Sequence, residues 1–130
     1  MKLKMLICTM ALLLTTLGLS AQNAIDKAVD EYSSIGKSTF TSAVERDPNT
    51  RKVLKVVKVL IPTDMTISKL RKAFFSEQEN GQFSLMSNED EETMTLTVET
   101  DKENRVYMMK YTQSGASFKD AKVTIIIRYK

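Results

Sequence analysis

Ala121-Lys122-Val123-Thr124-Ile125-Ile126-Ile127-Arg128-Tyr129-Lys130 holds the densest β-branched run of the chain, from Val123 to Ile127. Branched Cβ atoms suit a pleated, packed strand and are poorer in a helix. The stretch, about ten residues long, is short for a core helix, and Val123, Ile125, Ile127 and Tyr129 recur at period two. Thr124 and Ile126 leave the second face partly apolar. The stretch therefore predicts an inner strand rather than an edge.

Working back from it, Arg105 to Thr112 reads as a strand, followed by a loop over Gln113-Ser114-Gly115-Ala116-Ser117. Tyr107, Met109 and Tyr111 share one face of this strand, and Val106, Met108 and Lys110 share the other. If Val106 and Met108 face the core, the two tyrosines and Met109 lie on an open sheet surface, where such residues favour contact with a partner. The opposite orientation, with the tyrosines inside, fits the alternation equally well. Thr93 to Thr100 alternates cleanly, Met94, Leu96 and Val98 against Thr93, Thr95, Thr97 and Glu99, as expected of a strand with one wet face. Gln82 to Ser87 is a shorter strand, and residues 88–92 form an acidic loop.

The front half supplies two helices and a hairpin. Asn23 can cap a helix whose apolar stripe is Ile25, Ala28, Val29, Tyr32 and Ile35, with Gly36 as its stop. Thr39 to Arg46 and Arg51 to Ile61 are strands joined by Asp47-Pro48-Asn49-Thr50, a strong turn signal. Pro62 ends the second strand. Thr63 and Asp64 can cap a second helix, which buries Ile67, Leu70 and Phe74 and closes at Gly81. The order α-β-β-α-β-β-β-β predicts an α+β domain, two helices packed on one face of an antiparallel sheet.

Met1-Lys2-Leu3-Lys4 is basic, Met5 to Leu14 is apolar, and Gly18-Leu19-Ser20-Ala21-Gln22 offers small residues to a peptidase. That three-part pattern predicts a secretory signal, residues 1–21, cleaved after Ala21 or after Ser20. Residues 22–130 then form the exported domain, periplasmic or secreted, with no integral membrane insertion once the signal is removed. Cys8 sits inside the apolar run and leaves with it, so neither disulfide nor thiolate chemistry is expected. The formal charge is +3, and Lys2 and Lys4 account for two of those charges. A nearly neutral exported domain is a poor nucleic-acid binder.

Several strings resemble a family of small exported proteins from Bacteroides-type gut bacteria, known only as a domain of unknown function. They are Leu19-Ser20-Ala21-Gln22, Glu45-Arg46-Asp47-Pro48-Asn49-Thr50 with Lys52-Val53, Leu70-Arg71-Lys72-Ala73-Phe74, and Val123-Thr124-Ile125-Ile126. The resemblance implies export and a small α+β domain, and it implies no activity and no site. The resembling proteins carry Gly just after the turn, where this chain has Arg51.

The chain has no histidine. That removes the commonest general base and metal ligand, and the usual activator of a nucleophilic serine. No metal-ligand set, phosphate loop or cofactor motif is present, so no metal and no cofactor are expected. Ser34-Ile35-Gly36-Lys37 fits a bare Ser-x-x-Lys pattern, but that chemistry needs the serine at a helix N-terminus, and here a helix ends. The acidic residues Glu89, Asp90, Glu91 and Glu92 lack the ligand spacing of a calcium loop. From Arg46 to Lys72 there are eight basic and two acidic residues, and from Glu77 to Glu103 nine acidic and one basic. If the two stretches lie on opposite sides, the domain is strongly dipolar, which would steer a charged partner or favour head-to-tail contact. The reading favoured over this is that they neighbour each other in the sheet and pair across strands. Taken together, these features predict a non-enzymatic, exported binding domain that holds a protein, peptide or glycan on its open sheet face. The alternatives are a self-associating envelope protein using the edge strand Thr39 to Arg46 and, less favoured, a hydrolase built on carboxylates or on Ser34 and Lys37.

Overall fold

Asn23 opens the first element, as its short polar side chain suggests. Its side chain accepts from the Asp26 amide at 2.9 Å, and the Asp26 carboxylate accepts from the Asn23 amide at 3.1 Å. This reciprocal box satisfies two of the donors that a helix N-terminus leaves free. The structure, a computed structural model, describes residues 22–130; the expected signal, its cleavage position and Cys8 lie outside the described residues. Helix α1 spans Ala24–Ser33, two residues short of the expected Ile35. The hydroxyls of Ser33 and Ser34 donate to the carbonyls of Asp30 and Glu31, and such back-bonding competes with the last helical turn.

Strands β1 (Thr39–Arg46) and β2 (Val53–Ile61) form the expected hairpin. Asp47 holds its turn, its carboxylate accepting from the amides of Asn49 and Thr50 at 2.8 and 3.0 Å. Arg51, just after the turn, has φ 63°, a left-handed conformation that costs a residue with a Cβ about 1–2 kcal/mol.

A 3-10 turn at Asp64–Thr66 leads into helix α2, Ile67–Ser76. The expectation that this helix runs to a capping Gly81 is corrected. It ends at Ser76, a second 3-10 turn covers Gln78–Asn80, and Gly81 is extended. Gly81 is required for another reason: a Cβ there would lie 2.4 Å from the Thr97 carbonyl oxygen.

Strands β3 (Gln82–Asn88), β4 (Glu91–Glu99), β5 (Glu103–Ser114) and β6 (Ser117–Tyr129) complete the chain. The fold is α+β, in the order α-β-β-α-β-β-β-β. The six strands form one antiparallel sheet ordered β1-β2-β6-β5-β4-β3. The last strand is thus an inner one, seated between the front hairpin and the rear meander. Both helices cover one face. Ile25, Val29 and Tyr32 of α1 and Ile67, Leu70 and Phe74 of α2 pack on Leu60, Met94, Leu96, Val123, Ile125 and Ile127. Helices this short are marginal alone in water, so packing on the sheet holds them.

Two outcomes follow from this layout. Ile125 is 1 % exposed under the helices, whereas its neighbour Ile126 points to the uncovered face. Ile125→Ala is expected to cost about 2–5 kcal/mol in urea unfolding and Ile126→Ala markedly less. Arg51→Gly is expected to raise stability by about 0.5–1 kcal/mol, the relief of left-handed strain less the entropy cost of glycine.

Candidate functional site

Strand β5 decides which sheet face is free. Tyr107, Met109 and Tyr111 are at most 1 % exposed and lie in the core beneath the helices. An exposed patch around Tyr107 and Tyr111 is therefore corrected: the register places Met108 beside Thr95 and Thr124, and Val106 beside Thr97 and Ile126, on the uncovered side. The reason is chemical. A buried phenol needs a partner for its hydroxyl, and each helix brings one.

Tyr107 donates to Asp26 of α1 at 2.9 Å. The same carboxylate oxygen receives Arg105 Nη1 at 3.3 Å, and Arg105 also pairs with Glu103. Arg71 of α2 donates from Nε to the Tyr111 hydroxyl at 2.7 Å, and that hydroxyl bonds Glu92. The Arg71 guanidinium sits 4.4 Å from the Phe118 ring centroid and 5.6 Å from that of Phe75, close enough for cation–π attraction. Both phenol hydroxyls are satisfied within these networks, and both networks fix the helices.

The uncovered face is uneven. Strand β4 presents Thr93, Thr95 and Thr97 there, the polar surface expected of a strand facing water. Strands β2, β6 and β5 instead present Val57, Val59, Thr124, Ile126, Val106 and Met108 in adjacent registered rows. Lys55 and Arg128 are paired in register at one end of this aliphatic block. Lys110 and Lys122 are paired at the other, with Lys110 3.0 Å from Glu91. No aromatic residue of the six strands lies on this side.

The chain belongs to the DUF5024 family. The family, described as a domain of unknown function, matches residues 22–126. No curated protein and no solved structure matches the chain.

The remaining sequence candidates do not converge. Ser34 is exposed just after the C-terminal end of α1, and Lys37 is exposed beyond it in a left-handed turn. Among the described residues no group of three or more His, Cys, Asp or Glu could hold a metal ion. The acidic loop residues border an open hollow of about 200 Å³ with Asn88 and Thr112. Cross-strand pairing of the basic and acidic stretches is also corrected. The basic β2 and the acidic β3–β4 hairpin lie on opposite sides of β6 and β5, because β6 inserts between them. The aliphatic block on β2, β6 and β5 was half visible in the sequence, where Val106 and Met108 formed one of the two faces weighed for β5.

Burial pushes the Tyr107 hydroxyl well above the usual tyrosine range; the Arg105 hydrogen bond opposes the rise and the Asp26 charge adds to it. Tyr111 is raised by burial and by its bond to Glu92, against Arg71. A phenol with a raised native pKa holds its proton more tightly folded than unfolded. As pH climbs above the ordinary value of 10.0, the unfolded chain releases that proton first, and stability falls. Tyr107→Phe is expected to cost about 1–3 kcal/mol at neutral pH through the lost bond to Asp26 and to flatten the alkaline decline. Urea midpoints at pH 8 and above pH 10 check both effects.

Proposed function

We propose that this DUF5024 domain is an exported, non-catalytic binding module whose uncovered sheet face holds a protein partner. The observation that carries the reading is the contrast between threonine-faced β4 and the aliphatic block on β2, β6 and β5. Water alone favours the first kind of surface. A contiguous aliphatic block rimmed by charge is the second kind, typical of a face that another protein covers. Met108 adds an adaptable contact. The partner presents an aliphatic surface flanked by carboxylates, to meet Lys55 and Arg128 at one end and Lys122 at the other. A glycan fits less well, because sugars are gripped by flat aromatic rings and the six strands place none on this side. Face-to-face pairing of two copies would set like charges against each other along β6. Export rests on the basic, apolar and small-residue segments of the N-terminus, and the family match begins just past them.

The test is cross-linking with mass spectrometry on the tagged protein in its native envelope. The wild type is expected to yield a specific partner that a Met108→Glu/Ile126→Thr variant loses. Met65→Glu, on a residue 90 % exposed outside the sheet, is expected to keep it. An unchanged partner in the double variant, or cross-links to a second copy alone, would sink the reading.

A further inference from the structure

The helix side of the sheet is not fully covered. Beside the start of α1, an open recess of about 330 Å³ is floored by Val56 and Ile127 and reached by Tyr129. Lys58 and Arg105 line it from two strands, one on either side of β6. Lys58 is anomalous in its place. The inner face of β2 reads Leu54, Val56, Lys58, Leu60, so a cation stands where an aliphatic residue would pack. Its registered neighbours are Ser42 and Ile125, and among the described residues no carboxylate lies within 4.0 Å of it.

Arg105 is held the other way. Its Nε and Nη1 are committed to Glu103, Asp26 and Tyr107, while Nη2 donates to no protein group among the described residues. Asp26 is 5 % exposed and its Oδ2 already accepts from Asn23, Arg105 and Tyr107. Asp26 and Glu103 together more than offset the Arg105 charge and fix its plane. Arg105 therefore offers the recess the free donor Nη2 rather than net charge, and Lys58 is the lining cation that has no ion-pair partner among the described residues. An apolar floor with convergent polar groups, here Gln22, Asp26, Lys58 and Arg105, is the usual make-up of a small-molecule site, and the volume sits at the low end of the range of about 300–1,000 Å³.

We propose that this recess binds a small anionic amphiphile, with its carboxylate or phosphate head on Lys58 and Arg105 and a single aliphatic chain over Val56, Ile127 and Tyr129. The size suits one chain and not a two-chain lipid. The site lies on the opposite face from the surface assigned to a protein partner and does not depend on it.

Calorimetry and native mass spectrometry on the protein isolated from its own cells test the proposal, with decanoate and dodecyl phosphate as the two head-group probes. Decanol and decyltrimethylammonium serve as neutral and cationic counterparts. At least one anionic probe is expected to bind one to one, and the stronger of the two names the head group. Lys58→Met, which keeps the aliphatic stem, is expected to weaken it roughly ten-fold or more, the worth of a charge-assisted hydrogen bond. Lys58→Arg is expected to retain it, and so is Met108→Glu on the far face. Unfolding midpoints of the variants separate lost binding from lost folding, and Lys58→Gln gives a second reading if Lys58→Met is unstable. Failure of both anions to bind, equal binding of decanol, or an affinity unchanged by folded Lys58→Met or Lys58→Gln would overturn the proposal. So would loss of binding in Met108→Glu with retention in the Lys58 variants.

Discussion

Two phenol hydroxyls in the core set the orientation of everything else. Tyr107 and Tyr111 stand two positions apart from Met109 on the inner face of β5, each with a polar atom that must be satisfied once water is excluded. Helix α1 answers the first with Asp26, and helix α2 answers the second with Arg71. The helices are thereby clamped to one strand at two points, and a further bond from the Ala24 amide to Glu77 ties the start of α1 to the end of α2. The aliphatic core provides the bulk of the driving force but has no direction. The two hydroxyl networks give it one, because sliding either helix by one turn would strand a buried phenol and a charged partner together. Asp26 serves twice, closing the N-terminal box of α1 and receiving Tyr107.

That clamp explains what the sequence could and could not disclose. The α+β class, the element order and the inner position of β6 were readable from period and turn chemistry, since alternation in β4 and the β-branched run of β6 are local signals. The buried side of β5 was not. Val106 and Met108 compete with Tyr107, Met109 and Tyr111 as a core face, and what decides between them is Asp26, 81 residues away. Gly81 misled in a similar way. A glycine near the end of a helix reads as its cap, whereas its lack of a Cβ serves a close approach to the Thr97 carbonyl on β4. Arg51 shows the converse: the Asp47 turn fixed a left-handed residue after it, and the chain tolerates a side chain there.

Strand order also changes the electrostatics. Had β2 lain beside β4, the basic and acidic stretches would have cancelled across the ladder. Seating β6 and β5 between them keeps a basic flank at the front hairpin and an acidic one at the rear meander. Such a separation gives the domain a dipolar field that reaches about one Debye length, about 10 Å at ordinary ionic strength. The local ion pairs do not undo it. Lys110 with Glu91 and Lys130 with Glu99 are exposed contacts on or beside the rear strands, where they carry little stability.

Strand β2 carries both proposed surfaces. Its nine residues alternate, so Val57 and Val59 face away from the helices while Val56, Lys58 and Leu60 face toward them. On a strand whose inner face were wholly covered, a lysine at position 58 would be a costly choice, since burying an ammonium without a partner is strongly unfavourable. It is tolerated because Lys58 is only half-buried and borders the open recess. On the outward side the reverse substitution has been made, with valines set where water would favour threonine. Each departure from the expected pattern falls on a stretch of surface that the helices leave open, and the two together make β2, rather than the tyrosine-bearing β5, the strand on which both proposals rest.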